Sequence, residues 1–322
     1  MKSALRIVFY GTPEFAVPAL DILLKNNFDV VAVVTAPDRP SGRGQKIVSS
    51  AVKDYAVEHQ IPVLQPVKLK HESFLSELKS LQPDLQIVVA FRMLPEEVWK
   101  LPKKGTFNLH GSLLPQYRGA APINWAIING ETETGVTTFF LRHEIDTGDI
   151  LFQEKMTIAP DETAGELHDR MMKIGASLVL KTVQAIEDGT FRTTIQSGKQ
   201  NSPVHAAPKL NKENTRLDNK KIFSDAHNFI RGLSPYPTAY CEFFNAESGV
   251  SLSLKIFKSV AHAIVHSKIP GTIETDNKSY LRVYFLKGYL DFLELQVAGR
   301  NKVVIKDFLN GFKFEGHWSL RG

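Results

Sequence analysis

The 322-residue sequence has one cysteine, Cys241, which excludes an internal disulfide bridge and any metal site built from several thiolates. No apolar run reaches the roughly 18 residues that a membrane-spanning helix needs, and the first residues resemble no signal peptide. We therefore expect a cytoplasmic protein with no bound metal and no membrane partner. That it acts as a monomer is a separate expectation. With 43% hydrophobic and 23% charged residues, the chain is long enough for two globular domains.

Positive charge is scarce in the front of the chain and concentrated in the back. Residues 207–322 contain 17 Lys and Arg against 11 Asp and Glu, whereas residues 1–206 contain 22 against 23. A near-neutral front joined to a basic back indicates an anionic partner for the back, although lysine-rich surfaces also keep proteins in solution. Charge alone therefore leaves nucleic-acid binding open.

The front half alternates apolar runs with segments of helical periodicity. The runs at 5–10, 29–35 and 84–90 are apolar on both faces, which is typical of a parallel sheet covered by helices on each side. After the first run we expect Thr12 to cap a helix that has Pro13 at its first position.

The stretch 198–219 is polar, contains two prolines and lacks periodicity, as a linker would. Beyond it, one helix precedes short strand-like runs at near-regular spacing, which indicate a small barrel. The sequence thus predicts an α/β domain over 1–197, a linker over 198–219 and a β-rich domain over 220–322.

Two polar residues fall at the end of the strand predicted over 106–110. Positions two apart in an extended segment point to the same face, so Asn108 and His110 lie together. Ligands bind at the carboxyl ends of the strands in open α/β sheets. There the amide can donate to a developing oxyanion, and the imidazole can donate or shuttle a proton. A lone buried histidine is usually structural, but the pairing favours catalysis.

The segment from Asp146 to Asp149 forms a glycine-containing turn between two predicted strands. A carboxylate there can orient His110 or take the proton of an attacking amine. Aspartates in turns also commonly do no more than accept hydrogen bonds from the backbone. The residues alone leave both roles open.

The loop over 36–46 is rich in proline, glycine and arginine. Its cations suit contacts with phosphates, although many such loops lie on the protein surface and bind no ligand.

Several stretches taken together resemble the folate-dependent formyltransferase family. They are 8–16 (VFYGTPEFA), 36–44 (APDRPSGRG), 107–115 (FNLHGSLLP), 118–122 (RGAAP), 146–149 (DTGD), 207–210 (APKL) and 229–237 (FIRGLSPYP). The resemblance covers nearly the whole chain. The Arg-Gly loop and the basic tail narrow it to the members that formylate initiator tRNA.

The resemblance implies a Rossmann-like parallel-sheet catalytic domain joined to an OB-like C-terminal β-barrel that binds tRNA. It implies 10-formyltetrahydrofolate as the formyl donor and Asn108, His110 and Asp146 as catalytic residues. The expected folate-binding residues are Phe91, Arg92, Met93, Leu94, Ser112, Leu113, Leu114, Pro115 and Asp149. The expected tRNA-binding residues are Arg39, Arg43, Lys46, Lys209 and Arg231.

The expected mechanism is direct attack of the methionyl α-amine on the formyl carbon. Asn108 and protonated His110 would hold the tetrahedral oxyanion, and Asp146 would stabilise the imidazolium. No covalent enzyme intermediate is needed.

Three other interpretations differ in the acceptor or in the class of protein. A formyltransferase acting on an amino sugar or a glycinamide nucleotide would not need the Arg-Gly loop or the basic tail. A 10-formyltetrahydrofolate hydrolase uses water as acceptor, so this interpretation does not explain the basic barrel. A non-catalytic RNA-binding protein is disfavoured by the intact set of Asn108, His110 and Asp146.

Overall fold

The computed structural model describes residues 4–41, 46–196 and 203–321, which form eighteen strands, eight α-helices and two short 3-10 helices. The strands are β1 Arg6–Gly11, β2 Asp29–Val34, β3 Arg39–Ser41, β4 Lys46–Val48, β5 Val63–Leu64, β6 Leu85–Val89, β7 Thr106–His110, β8 Arg118–Gly119, β9 Glu133–Phe140, β10 Ile150–Thr157, β11 Ala206–Ala207, β12 Ala239–Asn245, β13 Ser251–Ala263, β14 Ile273–Thr275, β15 Leu281–Phe285, β16 Gly288–Val297, β17 Lys302–Val304 and β18 Trp318–Arg321. The helices are α1 Val17–Lys25, α2 Ala51–Glu58, α3 Glu72–Ser80, α4 Glu96–Trp99, α5 Pro122–Ile128, α6 Ala164–Asp188, α7 Phe223–Leu233 and α8 Ile305–Gly311.

A seven-stranded sheet in the front of the chain has the order β10-β9-β7-β6-β1-β2-β5. Its strands β5, β2, β1, β6 and β7 are parallel, and β9 then pairs antiparallel with β7. The side chains of β6 are buried along its whole length, as the apolar run predicted for a sheet covered on both faces. The Rossmann-like α/β fold is thus confirmed, with β7 in the interior of the sheet.

The back of the chain forms an antiparallel sheet in the order β14-β15-β16-β13-β12-β18, with β17 added beside β16. The N–H of Leu320 donates to the carbonyl of Gly271 at 2.8 Å, which brings the two outer strands of this order together. Side chains of β12 alternate between buried and half-buried positions, so one face lines a core to which α7 also contributes. This confirms the predicted OB-like barrel.

The predicted start of the first helix is wrong. Thr12 caps no helix: a 3-10 helix covers Glu14–Ala16, and the α-helix begins at Val17. Pro18 accounts for this difference, because it has no N–H with which to continue a hydrogen-bond ladder begun at Pro13. Proline is accommodated in the first turn of a helix, which is where Pro18 lies.

A capping box begins α6. The Thr163 hydroxyl accepts from the N–H of Glu166 at 3.3 Å, and the Glu166 carboxylate accepts from the N–H of Thr163 at 2.8 Å. These reciprocal bonds satisfy two donors at the start of a 25-residue helix.

Contacts divide the chain into two compact units. Unit 1 contains residues 1–119, 134–156 and 168–206, and unit 2 contains 120–133, 157–167 and 207–322. Part of the predicted linker lies outside the described residues. Its part from 203 to 219 contains β11 and a 3-10 helix at Glu213–Thr215. None of the helices in the described part of the chain has the length and apolarity that a membrane crossing requires.

Candidate active site

The carboxyl end of β7 brings the two polar residues of the predicted pair together. Asn108 is half-buried, and its amide makes no hydrogen bond within the described residues. His110 is 6% exposed and packs against the ring of Phe139 on the neighbouring strand. An unpaired amide beside a buried imidazole leaves donors available for a substrate.

The hydrogen bonds of His110 define the state of its ring. Nε2 lies 2.8 Å from the backbone carbonyl of Tyr117, which can only accept, so Nε2 carries a hydrogen. Nδ1 faces Oδ2 of Asp146 at 3.8 Å, too long for a direct hydrogen bond. The nitrogen turned towards the carboxylate is therefore the one that can gain or lose a proton.

Asp146 accepts a backbone hydrogen bond, as aspartates in turns commonly do, and its carboxylate also faces His110. Its Oδ2 accepts a hydrogen bond from the N–H of Gly119 at 3.0 Å, and the same oxygen faces His110. The residue has a left-handed φ of 55°, which is uncommon for a side chain other than glycine. The turn thus holds a carboxylate that is only 12% exposed beside the imidazole.

A glutamine from another part of the chain contacts this turn. The amide of Gln196 donates to the carbonyls of Asp146 at 3.0 Å and of Gly148 at 2.7 Å. Its Oε1 accepts from Nε and Nη2 of Arg118 at 3.2 and 2.7 Å. Sequence patterns did not single out Gln196, because it lies in no motif and reaches the site from 50 residues along the chain.

The segment from Ser112 to Pro115, expected to bind folate, is held by two side chains of the sheet. Thr137 donates to the carbonyl of Ser112 at 2.6 Å and accepts from the N–H of Leu114 at 3.1 Å. Gln153 donates to the carbonyl of Leu114 at 2.9 Å. Leu113 and Pro115 are half-buried or buried beside these contacts. Neither Thr137 nor Gln153 was expected from the sequence.

The other expected folate segment, Phe91 to Leu94, follows β6. The guanidinium of Arg92 lies over the Phe91 ring and donates to the backbone carbonyls of Pro66 and Val67. Desolvation and the neighbouring Arg39 hold its pKa below the usual value. Arg92 therefore anchors this segment to the protein through backbone contacts, while Met93 is exposed and Leu94 is buried.

Asp149 has one satisfied and one unsatisfied carboxylate oxygen. Oδ2 accepts from Arg142 at 2.6 Å, whereas Oδ1 is buried and has no hydrogen-bond partner in the described structure. A buried acceptor of this kind is costly unless a ligand or water supplies a donor.

The residues expected to bind tRNA fall into three groups. Arg39 and Lys209 are exposed. Arg43 and the side chain of Lys46 lie outside the described part of the chain. Arg231 is 6% exposed, and its guanidinium donates to Oδ1 of Asn228 at 2.9 Å and to the carbonyl of Glu162 at 3.0 Å. Arg231 is thus committed to the interior of unit 2 and is not available on its surface.

Neither a metal cluster nor a reactive thiol is found in the described residues. No group of three or more His, Cys, Asp or Glu side chains is placed to hold a metal ion. Cys241 is buried in β12, where burial raises the pKa of its thiol far above the usual range.

Comparison with known proteins defines the class. Residues 5–183 match the formyl transferase family, and residues 209–313 match the formyl transferase C-terminal domain. The chain therefore belongs to the formyl transferase family.

Curated relatives place the chain in the methionyl-tRNA formyltransferase branch of this family. It is 51% identical to the methionyl-tRNA formyltransferase of Flavobacterium johnsoniae over 96% of this chain and 97% of the relative. It is 50% identical to that of Bacteroides fragilis over 97% and 96% of the two chains.

Solved structures share the fold at lower identity. An N-formyltransferase from Helicobacter canadensis, in complex with folinic acid and dTDP-3-aminofucose, has a TM-score of 0.64 at 23% identity, covering 93% of this chain and 100% of that one. A sugar 3N-formyl transferase, solved with dTDP and 5-N-formyl-THF, has a TM-score of 0.65 at 22% identity, covering 92% and 99%.

Proposed function

We propose that this enzyme transfers the formyl group of 10-formyltetrahydrofolate to the α-amino group of methionyl initiator tRNA. The observation that carries the proposal is the grouping of Asn108, His110 and Asp146 at the carboxyl end of β7, with Nδ1 of His110 3.8 Å from the carboxylate. The acceptor is inferred from relatives about half identical over nearly the whole chain, each named a methionyl-tRNA formyltransferase.

The proposed first step is attack by the neutral amine on the formyl carbon. An α-amine titrates at about 8, so a substantial fraction is already neutral at physiological pH. The Asn108 amide, which makes no hydrogen bond within the described residues, donates to the oxyanion that forms. Nδ1 of His110, once protonated, donates to the same oxyanion, because Nε2 is occupied by the carbonyl of Tyr117.

The proposed second step breaks the bond between the formyl carbon and N10 of the folate. Asp146 stabilises the imidazolium and helps to relay the proton of the amine to the departing N10. The oxyanion collapses to the formamide, and tetrahydrofolate leaves. The proton of the amine ends on N10, tetrahydrofolate is the leaving group, and no covalent enzyme intermediate forms.

We propose that the folate binds along two segments, 91–94 and 112–115, and at Asp149. Thr137 and Gln153 fix the second segment through backbone bonds, so its shape is set before the donor arrives. The buried Oδ1 of Asp149 is an acceptor for an N–H group of the pterin.

The tRNA contacts are proposed for the Arg39–Lys46 loop and for the basic barrel. Arg39 and Lys209 are exposed and available for phosphates. Arg231 is omitted from this set because its guanidinium is bonded within unit 2. Charged initiator tRNA occurs where translation takes place, so we propose a cytoplasmic enzyme, acting as a monomer.

One assay tests this proposal against its rivals. Purified enzyme is given 10-formyltetrahydrofolate and, in parallel, methionyl initiator tRNA, uncharged initiator tRNA, an amino sugar nucleotide or glycinamide ribonucleotide. We expect formylation only of the charged tRNA, because the uncharged one lacks the amine. Release of formate without an acceptor would indicate a hydrolase, and faster formylation of a small amine would overturn the choice of acceptor.

A further inference from the structure

We propose that Gln196 is a positioning residue for formyl transfer, holding the Asp146 turn so that its carboxylate faces His110. The inference rests on the proposed catalytic role of Asp146. Gln196 has no hydrogen bond to His110 or Asn108 within the described residues, so it acts through the turn and not on the substrate.

Every hydrogen-bonding atom of the Gln196 amide group is used. Its nitrogen donates to two carbonyls of one turn, those of Asp146 and Gly148, and its oxygen accepts twice from Arg118. A glutamate would keep the acceptor but offer no donor to the carbonyls. An asparagine is shorter by one methylene, about 1.5 Å, which exceeds the tolerance of these bonds.

The bonds form a closed ring around the catalytic groups. Arg118 binds Gln196, Gln196 binds the Asp146 carbonyl, and the Asp146 carboxylate binds the N–H of Gly119, the residue after Arg118. The residue before Arg118 is Tyr117, whose carbonyl accepts from His110. The segment 117–119 therefore fixes the imidazole on one side and the carboxylate on the other, and Gln196 ties it to the turn.

The turn contains an uncommon backbone conformation. Asp146 has a left-handed φ of 55°, which hydrogen bonds from neighbouring side chains help to maintain. The strand segment before Gln196 is itself anchored, since Thr194 and Ile150 exchange backbone hydrogen bonds of 2.8 Å in both directions. Gln196 thus approaches the turn from a fixed position.

The direct test is Gln196→Glu, which keeps the size of the side chain and the acceptor for Arg118. It should place an oxygen against two carbonyls and displace the turn. We expect kcat to fall on the order of 10- to 100-fold, while the KM for methionyl-tRNA changes less than about 2-fold. Asn26→Asp is the matched control, because the exposed amide of Asn26 donates to the carbonyl of Ile22 at the end of α1, and the kcat of this variant should stay unchanged.

A double-mutant cycle separates positioning from general damage. In an Asp146→Ala background, measured in single turnovers with excess enzyme, Gln196→Glu should cost less than about 2-fold, because the carboxylate it positions is gone. The inference would be overturned if Gln196→Glu lowered the rate in that background by the same factor as in the wild type. It would also be overturned if Gln196→Glu alone raised KM without lowering kcat.

Thermal unfolding of each variant is measured in parallel. If Gln196→Glu does not fold, Gln196→Ala takes its place, since it removes the donors without adding an oxygen. If Asp146→Ala loses activity but both Gln196 variants keep it, the inference fails and the proposed site stands. If Asp146→Ala itself turns over like the wild type, both fail.

Discussion

The hydrogen bonds of single side chains decide which atoms are free to react. His110 uses Nε2 for the carbonyl of Tyr117 and therefore has only Nδ1 left for proton transfer. Oδ2 of Asp146 accepts a hydrogen bond from the N–H of Gly119 and also faces the ring of His110. In the proposed mechanism, removing either side chain takes charge stabilisation away from the reaction without altering the residues proposed to bind tRNA.

We therefore expect His110→Ala and Asp146→Ala each to lower kcat by about 100-fold or more, while the Kd for methionyl-tRNA stays nearly unchanged. Steady-state formylation and a filter-binding titration measure the two quantities. His71→Ala is the control, because His71 is exposed and its ring contacts the hydroxyl of Ser73, so the kcat of this variant should not change. A variant at 110 or 146 with wild-type turnover would remove that residue from the mechanism.

Gly148 shows how closely the same turn is packed. A Cβ at this position would overlap the backbone carbonyl oxygen of Phe140, which cannot move without disturbing the sheet. We expect Gly148→Ala to destabilise the protein by about 1–3 kcal/mol and to lower kcat by displacing Asp146. Gly311→Ala is the control, because a Cβ there meets no atom within 4 Å. Thermal unfolding and kcat that match wild type in Gly148→Ala would refute this account.

The candidate site could be predicted in part from the sequence. The pairing of Asn108 and His110 follows from the period of a strand, and both lie where that period places them. Thr137, Gln153 and Gln196 could not be predicted, because each reaches the site from another part of the chain and binds a backbone carbonyl. Every residue has the same backbone carbonyl, so the residue types in a sequence do not show which carbonyl a side chain will bind.

Elements with an uninterrupted period were predicted best. The strand predicted over 106–110 is Thr106–His110, since a buried strand shows its apolar run directly. Among the short strand-like runs predicted after the linker, the one that forms β13 is longer than expected and extends from Ser251 to Ala263. Its pairing with β16 shifts register between Ile256 and Lys258, and such a bulge reverses the phase of the alternation. The pattern therefore ends before the strand does.

Helix α7 contains a buried histidine that makes the stability of unit 2 depend on pH. His227 lies between the hydroxyl of Ser259 at 3.0 Å and the carboxylate of Asp161 at 3.1 Å. Burial, followed by the charge of Arg231, lowers its pKa from 6.5, and Asp161 opposes the shift without reversing it. The native state therefore binds fewer protons than the unfolded chain at mildly acidic pH.

Protonation of His227 therefore lowers the free energy of unfolding. The protein keeps its full stability above about pH 6.5, where His227 is neutral in both states, and loses stability as the pH falls towards the lower native pKa. Denaturant titrations at pH 7.5 and at pH 5.5 measure it. His227→Gln should show a smaller difference between the two pH values than wild type. His71→Ala, at an exposed histidine, should retain the wild-type difference. An unchanged pH dependence in His227→Gln would contradict the prediction.

At the scale of the whole molecule, the polar stretch over 198–219 is predicted to be the most accessible peptide segment between the two matched family regions. Limited proteolysis should cut there first, and mass spectrometry of the fragments locates the cut. Residues 120–133 and 157–167 belong to the same compact unit as 207–322, so the fragments should copurify until denatured. A first cut deep inside residues 1–197 would contradict the proposed division.

The final prediction concerns how the loop and the barrel divide the recognition of tRNA. The barrel carries most of the excess positive charge of the chain, and such charge binds the phosphates of many tRNAs alike. The loop leaves the sheet after β2, and Asp38 at its base is held by Lys53 and Gln65. Arg43, which lies outside the described residues, has a glycine on each side in the sequence, and the lack of bulk allows close approach to base edges.

Lys209→Ala should therefore weaken initiator and elongator methionyl-tRNA equally and reduce the salt slope of binding by about 1, as the loss of one phosphate contact does. Arg43→Ala should instead reduce the ratio of kcat/KM for the initiator to kcat/KM for the elongator tRNA. The reduction corresponds to about 1–3 kcal/mol if the guanidinium contacts a base. Lys209→Ala serves as the matched control, because it removes one cation without touching the loop. An equal loss on both tRNAs in Arg43→Ala would mean that the loop supplies affinity alone, and that selection of the initiator depends on other residues.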